Sequence, residues 1–269
     1  MSAGSLHTEV YNPQKDGIFP VTSTLVYSQT EAILLDAQFS TKDGEKLVQL
    51  IQSLGKHLKL IIITCGDPDF YFGLEPIVKA FPNVKIYASP LIIDHINKTK
   101  DYKLTFWGPQ LGDGAPNELF VPEVTPETQF TIEGKWLGVR SRDDYAAYVW
   151  IPSIKTILGG VGVSWGVHVF SADTETPEKR ASWRQVLQEM INLKPERVIP
   201  GHYLGEAPSG DEAIKFTLGY LETFEKVLEK NGYQNSAAVI GDMKEAYPNL
   251  GMEMSLELSA KVITGEMKF

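Results

Sequence analysis

LIIITCGDPD, residues 60–69, holds the most apolar run of the chain and, directly after it, one thiol and two carboxylates. Runs of β-branched residues without polar alternation are typical of strands that are buried on both faces, in sheets covered by helices. Polar groups at the end of such a strand lie on a loop that a rigid scaffold positions, where binding and catalytic side chains concentrate. We therefore predict a buried strand over 60–64 and a candidate functional loop over 65–69.

Short apolar runs alternate with helical patterns on both sides of this stretch. Upstream, strands are expected over 24–27 and 32–35, followed by a helix whose apolar residues recur at helical spacing until Gly55. Downstream, strands are expected over 85–88, 129–133, 136–139, 146–151, 155–158 and 197–200, with helices over 74–80, 90–97 and 177–192. This order predicts an α/β protein, a four-layer αβ/βα sandwich with two mixed β-sheets and helices on the outside.

The domain organisation follows from the same patterns. Residues 1–15 are polar and are predicted to form a flexible N-terminal tail before a single domain over 16–269. Within that domain, 206–269 is predicted to be a helical C-terminal extension. Residues 103–126 are rich in Gly, Pro and polar side chains, and we expect a long surface excursion there, in which Phe106 and Trp107 help to shape a pocket.

Composition restricts the partners. A net charge of −9 without any Lys/Arg cluster argues against nucleic acid, and no apolar run is long enough to span a membrane. The single cysteine excludes an intrachain disulfide and suits a reducing, cytoplasmic compartment. The expected partner is a small-molecule substrate or ligand. The apolar residues of the C-terminal part either pack on a second subunit, giving a homodimer, or cover their own sheet.

Three strand-end loops carry polar side chains. In the first, Cys65, Asp67 and Asp69 are competent ligands for a divalent cation, but Asp67 or Asp69 could equally be the N-cap of a helix. In the second, Gly201 places His202 at the end of a strand. The third, 158–168, is glycine-rich but lacks the Lys-Ser/Thr ending of a phosphate loop, so we interpret it as close backbone packing. Two of its side chains, Trp165 and His168, would then line a pocket.

Taken in order, these segments over roughly 20–205 resemble the metallo-β-lactamase superfamily. Where that family has His-x-His-x-Asp-His, this chain has Cys65-Gly66-Asp67-Pro68-Asp69-Phe70, and its Pro-Gly-His ending is matched at His202. A further histidine ligand of the family would fall within residues 140–145. This chain has no histidine there, and the possible ligands in that range are Asp143 and Asp144. Val161 takes the place of the aspartate that bridges two metals, so a two-metal centre is not expected.

The resemblance implies one of two states of the site. Either no metal ion is bound, or one divalent ion, with zinc as the first choice, is held by Cys65, Asp67, Asp69 and His202. With a metal, it implies a hydrolase of a small ester, thioester or lactone, in which Asp69 is the general base and His168 protonates the leaving oxygen.

The alternative is a metal-free pseudo-hydrolase scaffold that binds a small molecule or a partner protein. In that case Asp67 caps a helix, Cys65 is a small buried hydrophobe and His202 makes local hydrogen bonds. A third alternative is metal-free acid/base chemistry by Asp69 and His202.

Overall fold

The computed structural model describes residues 5–125, 127–142 and 146–268. The chain divides after Gly160 into two compact units, the second of which begins at Val161. This boundary falls within the single domain predicted over 16–269, and that prediction stays a prediction.

A six-stranded mixed sheet forms the centre of the first unit, in the order β1-β2-β3-β4-β5-β6. The first three strands pair antiparallel, and the pairs from β3 to β6 are parallel. Each parallel connection contains one helix, as parallel strands require. The strands are β1 (His7–Tyr11), β2 (Ser23–Tyr27), β3 (Glu31–Leu35), β4 (His57–Ile62), β5 (Lys85–Ala88) and β6 (Glu123–Val124), and the helices are α1 (Thr41–Leu54), α2 (Leu74–Ala80) and α3 (Pro90–Leu111).

A second group of strands in the same unit is antiparallel: β7 (Gln129–Ile132), β8 (Lys135–Ser141), β9 (Ala147–Ile151) and β10 (Thr156–Leu158). Its β9 begins beside the end of β4, because the Ala147 amide donates to the Thr64 carbonyl over 2.7 Å and Cys65 forms an isolated bridge with Ala146. The candidate loop therefore starts where the two groups of strands meet.

The second unit contains two short parallel strands, four helices and one further strand. They are β11 (Ser164–Trp165), β12 (Arg197–Ile199), β13 (His202–Tyr203), α4 (Pro177–Asn192), α5 (Glu212–Lys230), α6 (Ser236–Ala246) and α7 (Glu253–Ile263). Strands β11 and β13 pair with each other. Within 206–268 the chain forms α5, α6 and α7, and the predicted C-terminal extension stays a prediction. Among the described residues, no helix is both long and apolar enough to cross a membrane.

The predicted α/β class is confirmed, but two local predictions are wrong. Residues 7–11, expected in a flexible tail, form the edge strand β1, which is held on α1 by a 2.7 Å hydrogen bond from the Tyr11 hydroxyl to Asp43. Residues 103–111, expected in a surface excursion, are the last turns of α3. Trp107 is buried there against Phe19 and Phe39, so it belongs to the core and only Phe106 is exposed.

A buried ion pair joins α4 to α5. The Arg180 guanidinium, with no exposed surface, donates to both carboxylate oxygens of Glu225 at 2.6 and 3.0 Å, and Tyr233 donates to the same carboxylate at 2.6 Å. Burial raises the pKa of Glu225, but these hydrogen bonds outweigh it and leave the pKa below its usual range.

We expect Arg180→Met to lower the free energy of unfolding by about 3 kcal/mol, because it leaves a largely buried carboxylate without its main counter-ion. Urea denaturation measures this loss. Arg184→Met is the matched control, since Arg184 lies 3.7 Å from the same carboxylate but is 26% exposed, and it should cost less than about 1 kcal/mol. Equal losses for the two variants would contradict the assignment of the buried pair.

Candidate functional site

The candidate loop is fixed at its start by Asp36, which ends β3 with a left-handed φ of 62°. Its carboxylate accepts hydrogen bonds from the Thr64 amide at 2.7 Å and from the Thr64 hydroxyl at 2.6 Å. Burial raises the pKa of Asp36 to about 7, although the hydrogen bonds from Thr64 and Gly160 act in the opposite direction. The exit of β4 is thus tied to the end of β3, and the geometry of the residues that follow is set by the sheet.

The three predicted ligands of the loop lie together and are buried. Cys65 has no exposed surface, and Asp67 and Asp69 are each 7% exposed. A single 3-10 turn, Pro68–Phe70, follows Asp67, but the Asp67 side chain makes no capping hydrogen bond to it. The prediction that Asp67 serves as a helix cap is therefore wrong, because its carboxylate is engaged elsewhere.

That carboxylate pairs with a lysine from α3. The Lys103 ammonium lies 2.7 Å from Asp67 Oδ1, and the lysine is only 6% exposed. It also lies 3.0 Å from His95 Nε2. Because an ammonium group can only donate, this nitrogen of His95 is an acceptor, which places the ring proton on Nδ1. The cation therefore sits between a carboxylate and a neutral imidazole.

The helix covers the loop closely at a second point. A Cβ atom on Gly66 would come within 2.8 Å of His95 Cδ2, so the ring of His95 occupies the space in front of this glycine. Any larger residue at position 66 would have to displace the His95 side chain. The glycine thus leaves room for the ring that contacts the Lys103 ammonium.

Burial and neighbouring charges determine the protonation of Asp67 and Cys65. Burial raises the pKa of Asp67, but the charge and the hydrogen bond of Lys103 outweigh it and hold the pKa below its usual range. Burial, with Asp67 and Asp69 nearby, raises the pKa of the Cys65 thiol well above its ordinary value. Cys65 is therefore a neutral thiol, and its Sγ donates to Asp67 Oδ2 at 3.4 Å.

These residues do not fit a divalent metal ion. A metal needs ligands with accessible lone pairs, whereas here one oxygen of Asp67 is held by the Lys103 ammonium at 2.7 Å. Across the described ranges, no three His, Cys, Asp or Glu side chains are grouped so that they could hold an ion. The predicted set of Cys65, Asp67, Asp69 and His202 is therefore not supported as a metal site by the arrangement of the loop.

The two remaining residues of the predicted site, His202 and His168, belong to the second unit. His202 lies in β13, is 8% exposed, and is paired with Ser164 of β11. His168 is 3% exposed and lies 3.0 Å through Nδ1 from the Tyr220 hydroxyl. Burial lowers the pKa of His168, so the neutral form is favoured. The catalytic roles of Asp69 and His168 stay predictions, and Asp143 and Asp144 lie outside the described residues.

The glycine-rich segment is a packing element, as predicted. Gly160 has a φ of 72°, and a Cβ atom there would approach the Ala147 carbonyl to 2.1 Å. Trp165 contacts Phe216 with ring centroids 5.4 Å apart, and His168 lies 5.8 Å from Tyr220. Their rings therefore pack on α5.

Sequence reasoning missed Lys103, His95 and Asp36. One signal was available for Lys103, which follows His95 by two helical turns and precedes the buried Trp107 by one. A helix extended through position 107 would have placed all three on neighbouring parts of one face. The sequence around Asp36 gives no such periodic signal, because its partner Thr64 lies just beyond the end of another strand, β4.

The fold is that of an α/β protein with a polar loop at the end of a buried strand. The model of the metallo-beta-lactamase superfamily matches residues 16–170, more than half of the chain, and the chain belongs to this superfamily. This membership supports a metallo-hydrolase-like function. No curated protein sequence matches the chain significantly.

Solved structures with the same fold include two metallo-beta-lactamases. The protein from Pontibacter korlensis is 20% identical with a TM-score of 0.54, and the match covers 82% of this chain and 96% of that one. The protein from Hirschia baltica is 15% identical with a TM-score of 0.55, covering 80% and 92%. At these identities the likeness concerns the fold alone, and it confirms the predicted fold class.

We expect the stability of the protein to depend on pH through Asp36. Its pKa is raised from 3.8 to about 7, so its contribution is complete below the unfolded-state pKa and is lost as the pH rises through 7. Between pH 5.5 and pH 8 the free energy of unfolding should fall by about 2 kcal/mol from this group.

Denaturation curves at the two pH values measure the effect, and Asp36→Asn, which cannot ionise, should remove this part of the difference. The assignment is wrong if the variant keeps the full pH dependence of the parent.

Proposed function

We propose that this protein is a metal-independent member of the superfamily, a hydrolase-type scaffold that binds a small ester, thioester or lactone without metal-dependent hydrolysis. The observation that carries the proposal is the Lys103 ammonium 2.7 Å from Asp67, in a loop where both partners are buried. Superfamily membership supports the broader metallo-hydrolase-like class, and the resemblance supplies the ligand class, since small carbonyl compounds are the family's usual targets.

Energetics favour the metal-free form of the loop. An entering metal ion would have to displace the ammonium from Asp67, and a buried cation that loses its partner costs about 3–5 kcal/mol. The Cys65 thiol, whose pKa is raised by burial, would also have to release its proton before it could act as a ligand. Both costs oppose metal binding at neutral pH.

The competing function is a hydrolase with one metal on Cys65, Asp67, Asp69 and His202. It keeps four residues of the right chemical type, but it requires Lys103 to leave the Asp67 carboxylate. The two functions therefore differ in an observable quantity, the metal content of the protein in its native state.

We expect protein purified without added metal to contain far less than one zinc, manganese or iron ion per chain. Added zinc or a chelator should leave its Tm unchanged, because the described part of the chain offers no group of three ligands to gain or lose an ion. Elemental analysis and thermal denaturation measure the two quantities. Stoichiometric metal that disappears in Cys65→Ala or His202→Ala would overturn the proposal and favour the hydrolase.

Binding is tested separately from turnover. A panel of lactones, thioesters and p-nitrophenyl esters should contain compounds that raise the Tm and are recovered unchanged after incubation. At a concentration of 100 times Kd a ligand stabilises a protein by about 2.7 kcal/mol, which is well within detection. Hydrolysis that a chelator abolishes would contradict the proposed function.

A further inference from the structure

We infer that Lys103 is the resident cation of the candidate loop, a positioning residue whose ammonium group takes the place that a divalent ion has in a metal-bearing loop of this kind. This inference rests on the proposed function, because it explains how the loop stays folded without a metal.

The loop carries two buried negative charges. Asp67 and Asp69 lie two positions apart, and each is 7% exposed, so water compensates neither carboxylate well. Buried like charges destabilise a loop unless an opposite charge lies nearby. The Lys103 ammonium, 2.7 Å from Asp67, supplies this opposite charge for Asp67 directly, while Arg142 adds positive charge near Cys65.

Two polar atoms contact the ammonium group of Lys103. Its nitrogen lies 2.7 Å from Asp67 Oδ1 and 3.0 Å from His95 Nε2, and these two atoms lie 3.9 Å from each other. A carboxylate oxygen and an imidazole nitrogen are ligand types for zinc, and they face one point that the ammonium occupies. The Cys65 thiol lies on the other oxygen of the same carboxylate.

The helix that carries Lys103 is firmly packed. Helix α3 starts at the N-cap Ser89, whose side chain accepts from the Ile92 amide, and Pro90 occupies the first turn. Ile92, Ile96 and Trp107 are buried on the same helix, on both sides of Lys103 in sequence. The lysine therefore does not reach the loop from a mobile segment but from a helix that the core holds in place.

The test compares variants of the full-length protein by thermal denaturation. Lys103→Met, which keeps the apolar stem and removes the charge, should lower the Tm by roughly 10 °C, because Asp67 is left as a buried unpaired carboxylate. Lys98→Met is the matched control on the same helix, since Lys98 forms a pair with Asp94 in which the side chains are 70% and 57% exposed. It should change the Tm by no more than about 2 °C.

A role through charge is separated from a role through packing by a second substitution. Adding Asp67→Asn to Lys103→Met removes both charges, and the double variant should regain most of the lost Tm. The double variant also keeps the test valid if Lys103→Met alone does not fold. Failure of Asp67→Asn to restore stability, or a Lys103→Met variant as stable as the parent, would overturn the inference.

Zinc provides the second measurement. Lys103→Ala vacates the position between Asp67 and His95, and zinc should raise the Tm of this variant while leaving the parent and Asp67→Asn/Lys103→Ala unchanged. A Lys103→Ala variant that does not respond to zinc would overturn the claim that the ammonium holds the place of a cation. Stoichiometric zinc in the parent would instead overturn the proposed function, so the two failures are distinguishable.

Discussion

The buried ion pair between Lys103 and Asp67 is the interaction on which the candidate site depends. In a medium less polar than water, two opposite charges 2.7 Å apart attract strongly, but each has given up its hydration. Such a pair adds little net stability compared with a well-packed apolar pair, yet removing one partner is costly. The pair therefore acts as a constraint, because once α3 carries the cation, the carboxylate can no longer serve an ion from solution.

Other features of the loop follow from this constraint. Asp67 is engaged with Lys103 and Cys65, so the 3-10 turn after it has no side-chain cap. The thiol remains protonated because it lies next to that carboxylate in a buried place. Gly66 is required where the His95 ring lies over the backbone. Cys65, Asp67 and Lys103 thus hydrogen-bond to one another, as buried polar groups must.

The sequence predicted most elements correctly, since helix α2, strand β5 and helix α4 were expected with the bounds that the structure has. It failed at the end of α3, because the Gly, Pro and polar side chains of 103–126 made residues 103–111 look like part of a surface loop. Periodicity assigns buried positions to apolar residues, so a buried charge is invisible to it. The residue types at 65, 67 and 69 were recognised, but their partner, 36 positions away from Asp67, could be found only in three dimensions.

The changes in the family's ligand pattern are consistent with one another. Phe70 has no exposed surface and belongs to the core, and Val161 is 6% exposed, so two positions that would serve metals in the family serve packing here. With fewer donors, the affinity for a metal falls, while the negative charge of Asp67 and Asp69 remains. A covalently attached cation compensates the charge of Asp67 at any metal concentration and in every folded molecule. Under the proposed function, the folding of the loop does not depend on metal supply, because the Lys103 ammonium is part of the chain.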